Sequence, residues 1–319
     1  MTVLVTGGAG FIGSHFIDML LAENPEDKIV CLDKLTYAGN TDNLKNAFGN
    51  SRFEFVKGDI CDRKLLKDIF SRFSPETVVN FAAESHVDRS ISSPRVFFET
   101  NYMGTAALLE ASLKFGARRF HQVSTDEVYG DLPLDSRRRF NESSPLSPHS
   151  PYSASKASAD LLALSYFHTY GLNVTVSRCS NNYGERQYPE KLIPLAVKKA
   201  LSGEKIPVYG DGQNVRDWIY VKDHCRAVKA VLENGKAGEI YNVSAGCEIS
   251  NIALIKKLIG IIGYGEIEFV PDRKGHDRRY SVNSEKIYGK LGFSPKYDFE
   301  PEFEKTVKRF VSEYEKRPD

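Results

Sequence analysis

Thr125, Asp126 and Glu127 stand in a row, a hydroxyl followed by two carboxyls. Two close carboxyls repel when both are ionised, so one keeps its proton to higher pH. Such a pair offers an acid and a base for eliminating water from one bound molecule. Further on, Tyr152-Ser153-Ala154-Ser155-Lys156 sets a phenol and an ammonium one helical turn apart on one face. A phenol titrates near pH 10, at about three units above neutrality, and is a poor base by itself. A neighbouring ammonium and a cationic nicotinamide ring both favour the phenolate, which can then take a hydroxyl proton while hydride leaves. Upstream lies Thr6-Gly7-Gly8-Ala9-Gly10-Phe11-Ile12-Gly13. Glycines let a backbone turn sharply and approach a pyrophosphate at a helix N-terminus. In this order the three groups describe redox chemistry coupled to loss of water from one substrate.

Each group alone is ambiguous. The acid pair also fits a solvated acidic turn, or a helix N-cap by Asp126. Both carboxyls can share one site only if the preceding strand has ended, because neighbours within a strand face opposite sides. The Tyr129-Gly130 turn suggests that ending. The glycine loop gains force from Asp33, which ends the next strand, where an acid would hold ribose hydroxyls. A carboxylate there repels a 2′-phosphate, so NAD is favoured over NADP, with Lys34 as the opposing charge. Asp59-Ile60 either contacts the adenine or is plain loop and core.

These groups need a scaffold. Short apolar runs at 3–6, 29–33, 53–57, 77–81, 120–124 and 174–179 alternate with helical stretches such as 11–23 and 65–73. That rhythm predicts an α/β fold, a doubly wound parallel (Rossmann) sheet. After Cys179 the loops become more polar and aromatic. The expected division is a dinucleotide-binding domain of 1–179 plus 218–246, and a smaller C-terminal α/β substrate domain of 180–217 plus 247–319. The strand at 240–244 is expected to return to the main sheet. Helices at 96–115 and 152–170 are apolar most of the way round, which fits either a central core position or a dimer formed by packing on their copies.

Composition narrows the classes. The chain has 319 residues, with 43 Lys+Arg against 42 Asp+Glu. That near balance gives no argument for nucleic acid or anionic membrane as partner. Arg137-Arg138-Arg139 reads as a solvated loop. Five cysteines without a Cys-x-x-Cys pair read as small buried hydrophobes in a reducing, cytoplasmic setting, with no metal site. No signal peptide or membrane-spanning run is apparent.

Taken with Leu35-Thr36-Tyr37-Ala38-Gly39-Asn40, Ala82-Ala83-Glu84-Ser85-His86-Val87-Asp88, Asn181-Asn182-Tyr183-Gly184 and Pro189-Glu190-Lys191-Leu192-Ile193-Pro194, the motifs above resemble the dTDP-glucose 4,6-dehydratases. These belong to the extended short-chain dehydrogenase/reductases. The likeness runs over nearly the whole chain, and the Thr-Asp-Glu triplet is its most specific element. The resemblance implies NAD as cofactor and dTDP-glucose as substrate, and the apolar helices 96–115 and 152–170 give a homodimer as the expected assembly. It implies that Tyr152 deprotonates the C4 hydroxyl, Glu127 removes the C5 proton and Asp126 protonates the departing C6 hydroxyl. Thr125 would bond the C4 oxygen, and Lys156 would also hold the nicotinamide ribose. It adds Thr36, Ala82 and Ala83 to the cofactor residues. For the substrate it implies Ser85, Asn181, Lys191, Leu192, Pro207, Tyr209, Arg216, Asn251, Arg273 and His276. Arg216 and Arg273 suit a diphosphate, since guanidinium forks onto phosphate oxygens. Glu185-Arg186 and Lys274 depart from the usual pattern, where Pro-Tyr and proline stand. The rivals are a UDP-glucose 4,6-dehydratase with the same triplet and a non-catalytic NAD-sensing scaffold. A scaffold would be marked by loss of Tyr152, Lys156 or the acids.

Overall fold

The computed structural model describes residues 1–316, so the last three positions of the expected substrate domain lie outside it. The first half runs β1 (Thr2–Thr6), α1 (Phe11–Glu23), β2 (Lys28–Asp33), β3 (Phe53–Lys57), α2 (Arg63–Phe73), β4 (Thr77–Asn80), α3 (Val87–Ser92), α4 (Pro94–Phe97), a π-helical stretch (Phe98–Gly104), α5 (Thr105–Phe115), β5 (Arg119–Thr125), α6 (Pro151–Tyr170) and β6 (Val174–Cys179). The second half adds β7 (Asn181–Tyr183), α7 (Leu192–Leu201), β8 (Ile206–Tyr209), β9 (Val215–Tyr220), α8 (Val221–Asn234), β10 (Ile240–Val243), β11 (Glu248–Ser250), α9 (Asn251–Ile262), β12 (Ile267–Val270), α10 (Glu285–Leu291) and α11 (Phe299–Glu315).

Seven strands form one sheet in the order β10-β6-β5-β4-β1-β2-β3. Every pairing in it is parallel. This is the expected Rossmann architecture, and β10 returns to it beside β6 as anticipated. The central strands are apolar on both faces because helices cover both sides. Val5, Ile29, Cys31 and Val79 pack toward α1, while Leu4, Val30, Val78 and Phe120 pack toward α2 and α5. The chain order reverses between β1 and β4, so a crevice opens at the carboxyl ends of those strands.

A three-stranded sheet, β11-β9-β7, and a two-stranded one, β12-β8, build the smaller lobe. The expected division at 217/218 falls inside β9, which pairs with both β7 and β11. The ladder hydrogen bonds of Trp218 to Tyr220 hold that strand in the small sheet. The division therefore cuts a single strand whose residues 216–220 are buried throughout.

Two local features position the chemistry. Helix α6 starts at a capping box, with Ser150 accepting from the Ser153 amide and Ser153 accepting from the Ser150 amide, and Pro151 in the first turn. Asp160 of α6 then meets Arg178 of β6 at 2.9 Å, both side chains fully or almost fully buried. Arg178 also lies over the Tyr129 ring at 4.8 Å. This pair fixes the height of α6 against the sheet. Asp160→Ala would leave the Arg178 charge unpaired and is expected to cost about 3–5 kcal/mol, read as a fall in the midpoint of thermal unfolding.

The expected helix 96–115 is continuous in path but not in hydrogen bonding. It passes from α4 through the π-helical stretch into α5. Asn101 in the widened turn donates to the Glu84 carbonyl at 3.0 Å and the Ser155 hydroxyl at 2.9 Å, and accepts from the Glu84 amide at 2.8 Å. These buried bonds tie the loop after β4 to the helix that bears Tyr152 and Lys156. A π-turn inside a helix is often found at a functional site.

Candidate active site

The glycine loop links β1 to α1. Gly7 has a positive φ of 67°, and a Cβ there would stand 2.6 Å from the Ala82 amide nitrogen. A Cβ on Gly13 would collide with the Gly7 carbonyl. Only glycine fits at either position. Gly10 caps α1 with no side-chain bond, and the first turn carries no acid. The free amides of that turn can therefore take an anion. Asp33 receives the Ala9 amide at 2.9 Å and the Leu35 amide at 2.8 Å, which fixes its carboxyl beside the loop. Lys34 is turned to Asp59 at 2.7 Å, so its charge is matched within the protein.

At the other end, β5 stops at Thr125 and a single 3₁₀ turn runs Asp126–Tyr129. The strand ends where both carboxyls require it to end. Thr125, not Asp126, is the cap: its hydroxyl accepts from the Glu127 amide at 3.3 Å. Gly130 closes the turn at φ 84°. Asp126 is 2% exposed and its Oδ2 has no partner in the protein. The Ser124 and Ser180 hydroxyls are likewise buried and unpartnered. Buried polar atoms ordinarily find partners, so three orphaned groups in one place mark where a polar ligand belongs.

The surroundings set the two acids apart. Burial, then the neighbouring Glu127 charge, raise Asp126 well above the usual carboxylate range. Burial also raises Glu127, but Arg273, Arg216 and Lys191 oppose the rise. Asp126 is thus the proton holder and Glu127 the readier carboxylate. Burial and then the Glu127 charge push the Tyr152 phenol well up. Burial lowers Lys156, whose ammonium donates to the Val123 carbonyl at 2.7 Å. Within the protein alone, burial and nearby negative charge disfavour the Tyr152 phenolate.

One cavity of about 310 Å³ joins the two ends. Gly7, Gly10, Phe11, Ile12, Gly13, Asp33, Lys34, Thr36, Asp59, Ile60, Ala82 and Ala83 line it, together with Ser85, Thr125, Asp126, Glu127, Tyr152, Lys156, Asn181 and Lys191. The other expected residues lie off this lining. Leu192 packs against the apolar core at the start of α7. Pro207 and Tyr209 sit on β8, and Asn251 opens α9. Tyr209 bonds Asp88 at 3.2 Å and stands 6.1 Å from the His276 ring. Arg273 faces Asp88 at 3.6 Å. Arg216 donates to the Val215 and Asp277 carbonyls and lies 4.1 Å over Tyr280. Reading the sequence missed Ser124, Cys179, Ser180, Gln187, Tyr188 and Glu190, which also line the cavity. Ser180 follows β6 directly, and the rule that ligands sit beyond strand ends could have found it. Gln187 and Tyr188 carry no such signal.

Comparison with known proteins decides the kinship. A sequence model of the family described as GDP-mannose 4,6 dehydratase matches residues 4–306. A dTDP-glucose 4,6-dehydratase of Actinoplanes sp. is 49% identical over 314 residues, covering 96% of this chain and 97% of the relative. The chain belongs to the dTDP-glucose 4,6-dehydratase family. The dTDP-glucose 4,6-dehydratase DesIV of Streptomyces venezuelae, solved with NAD bound, superposes with a TM-score of 0.94 at 48% identity, covering 99% of this chain and 98% of that one. Another relative at 49% identity is the low-salt glycan biosynthesis protein Agl12 of Haloferax volcanii, covering 99% of this chain and 100% of the relative. In this dehydratase family member the glycine cradle, the Asp33 carboxyl and the free amides of α1 fit a dinucleotide.

Proposed function

We propose that the chain dehydrates dTDP-glucose to dTDP-4-keto-6-deoxyglucose, in deoxysugar biosynthesis, with NAD as a recycled cofactor. The observation that carries this is the placing of Asp126 and Glu127 beside Tyr152 in the same cavity as the glycine loop, with burial and the Glu127 charge raising Asp126 well above the usual carboxylate range. Gly7 to Gly13, Asp33, Thr36, Asp59, Ala82, Ala83 and Lys156 would hold the cofactor. Bound there, NAD would supply the hydride acceptor for sugar C4 and the donor for C6, and a positive ring charge that favours the ionised Tyr152. Tyr152 accepts the C4 hydroxyl proton, with Thr125 bonding the same oxygen. The 4-ketone makes the C5 proton acidic. Glu127 removes it, and the Asp126 carboxyl passes its proton to the departing C6 hydroxyl. Water leaves, Glu127 gives the proton back to C5 as hydride is delivered to C6, the C4 ketone stays in the product, and the proton taken up by Tyr152 balances the one lost by Asp126.

The test is incubation with dTDP-glucose and with UDP-glucose without added coenzyme, followed by mass detection. Loss of one water from dTDP-glucose supports the reading. Turnover of UDP-glucose in clear preference would move the assignment to the UDP-sugar enzyme. No dehydration of either would leave a non-catalytic binder.

Arg216 and Arg273 are assigned to the substrate diphosphate, with Tyr209, Asn251 and His276 toward the nucleoside. Arg216 spends two of its five donors on backbone carbonyls, so its remaining N–H groups are pre-oriented. Arg216→Ala is expected to weaken dTDP binding by about 2–5 kcal/mol. Unchanged affinity in calorimetry would remove Arg216 from this role.

The assembly assigned is a homodimer of a cytoplasmic enzyme. Val96, Phe98, Met103 and Leu113 are exposed along the 94–115 path, and Leu161 and Tyr170 are 59% and 57% exposed on α6. Large apolar side chains exposed on both of these helices support a protein partner. Leu161→Glu is expected to shift sedimentation from dimer to monomer; a monomeric parent would contradict the assignment. All five cysteines are unpaired, which suits a reducing compartment.

A further inference from the structure

The segment from Gly184 to Lys191 crosses from β7 to α7. Gln187, Tyr188, Glu190 and Lys191 of this segment line the cavity alongside Gly10, Asp33, Tyr152 and Lys156. It therefore touches the space at both the glycine-loop end and the catalytic end. Its anchors are not on its own lobe alone. Arg186 Nη2 meets Asp18 Oδ2 at 2.7 Å. His15 Nε2 lies 3.0 Å from the Glu185 carbonyl. Both partners sit on α1, the helix whose first turn is the candidate anion site. His15 is four residues beyond Phe11, and Asp18 three beyond His15, so all three share one face.

The far end is tied as well. The Tyr188 ring stands edge-on to Tyr37 at 5.4 Å, and Lys191 donates to the Ser85 carbonyl at 2.7 Å. Arg186 adopts φ 68°, a left-handed backbone that an arginine takes only when its surroundings hold it. The Arg186 and Asp18 side chains are 19% and 26% exposed. At that burial the pair is screened less than a surface ion pair.

We propose that Arg186, Asp18 and His15 form a latch that holds segment 184–191 across the dinucleotide and sets how long the coenzyme stays bound. The latch couples the small lobe to the helix that grips the pyrophosphate. A coenzyme that is regenerated within each cycle has no need to leave, and a strap bolted to its own binding helix keeps it in place between turnovers. These are positioning residues: they touch neither substrate nor reacting atoms. The proposal rests on the reading of the cavity as an NAD site.

The test uses the full-length protein and its Arg186→Ala and Asp18→Ala variants. Coenzyme content is measured after gel filtration, and its release rate by dilution into buffer with a fluorescent competitor. The parent is expected to carry NAD. Each variant is expected to release it about tenfold faster, equivalent to about 1.4 kcal/mol, and to need added NAD for turnover. The charge-exchanged pair Asp18→Arg with Arg186→Asp is expected to recover slow release. Release from both single variants at the parent's rate overturns the latch while leaving the site reading intact. Faster release that only tracks a lower melting point of coenzyme-saturated protein, without recovery in the exchanged pair, overturns it too. A parent that binds no NAD overturns both the latch and the site reading.

Discussion

Tyr152→Phe is expected to lower turnover by about 10²–10⁴-fold, the usual span for losing a positioned acid–base group. The loss should fall on the first step. The phenol lines the cavity beside Thr125 and the two acids, and it is assigned to the sugar C4 hydroxyl proton. Phenylalanine keeps the ring, so the edge contact with Phe97 at 6.3 Å survives and binding should change little. In rapid mixing, reduced-coenzyme absorbance should rise far more slowly than in the parent. A deuterium label at C4 should then slow the whole cycle. Undiminished absorbance growth in Tyr152→Phe would take the tyrosine out of the oxidation step.

Asp126→Asn is expected to separate the two halves of the reaction. Oxidation at C4 should continue, while loss of water slows by about 10²–10⁴-fold because an amide is a far weaker acid. Reduced coenzyme should then accumulate to a level never seen in the parent. The substitution is nearly isosteric, and Asp126 Oδ2 has no protein partner to lose. The pH dependence has a definite sign. Asp126 must be protonated to act, and burial with the Glu127 charge raises its pKa. The parent's rate should therefore fall as pH rises through that raised value, and the Asn variant should lack that limb. Stability follows the same proton. The folded protein binds it more tightly than the unfolded chain, so its contribution is complete below the usual carboxylate range and is lost as pH rises through the raised value. Asp126→Asn should consequently narrow the loss of thermal stability on the alkaline side. Equal slowing of oxidation and dehydration would deny Asp126 its role as the acid.

Much of this was legible in one dimension. The strands of the main sheet announce themselves as short apolar runs, because a parallel strand covered on both faces must be apolar along its length. The glycine loop was legible because backbone geometry there admits no side chain, as Gly7 and Gly13 show. Asp33 was legible because strand length and helix length place it at a fixed distance from that loop. The Thr125–Glu127 turn was legible through Gly130, whose positive φ ends it.

Other features depend on long-range contacts and left no local mark. The π-turn at Phe98–Gly104 arises because Asn101 must reach Glu84 and Ser155 together, and those partners are distant in the chain. The membership of Trp218 in the small sheet is decided by pairing with β7 and β11, not by its own apolarity. Gln187 and Tyr188 reach the cavity only because Arg186 and Tyr37 hold their segment there. The spacing of Tyr152 to Lys156 brings the two groups to one helix face but does not by itself set the phenol's pKa. Spacing along a helix gives direction, but the pKa is set by burial and by charges from other elements, here Glu127. By itself the sequence determined the sheet, the loop and the kinds of chemical group available, since these follow from local sterics and periodicity. Only the tertiary structure decided which group holds the proton and which segment closes the site, because electric field and burial are sums over residues that the chain brings together from far apart.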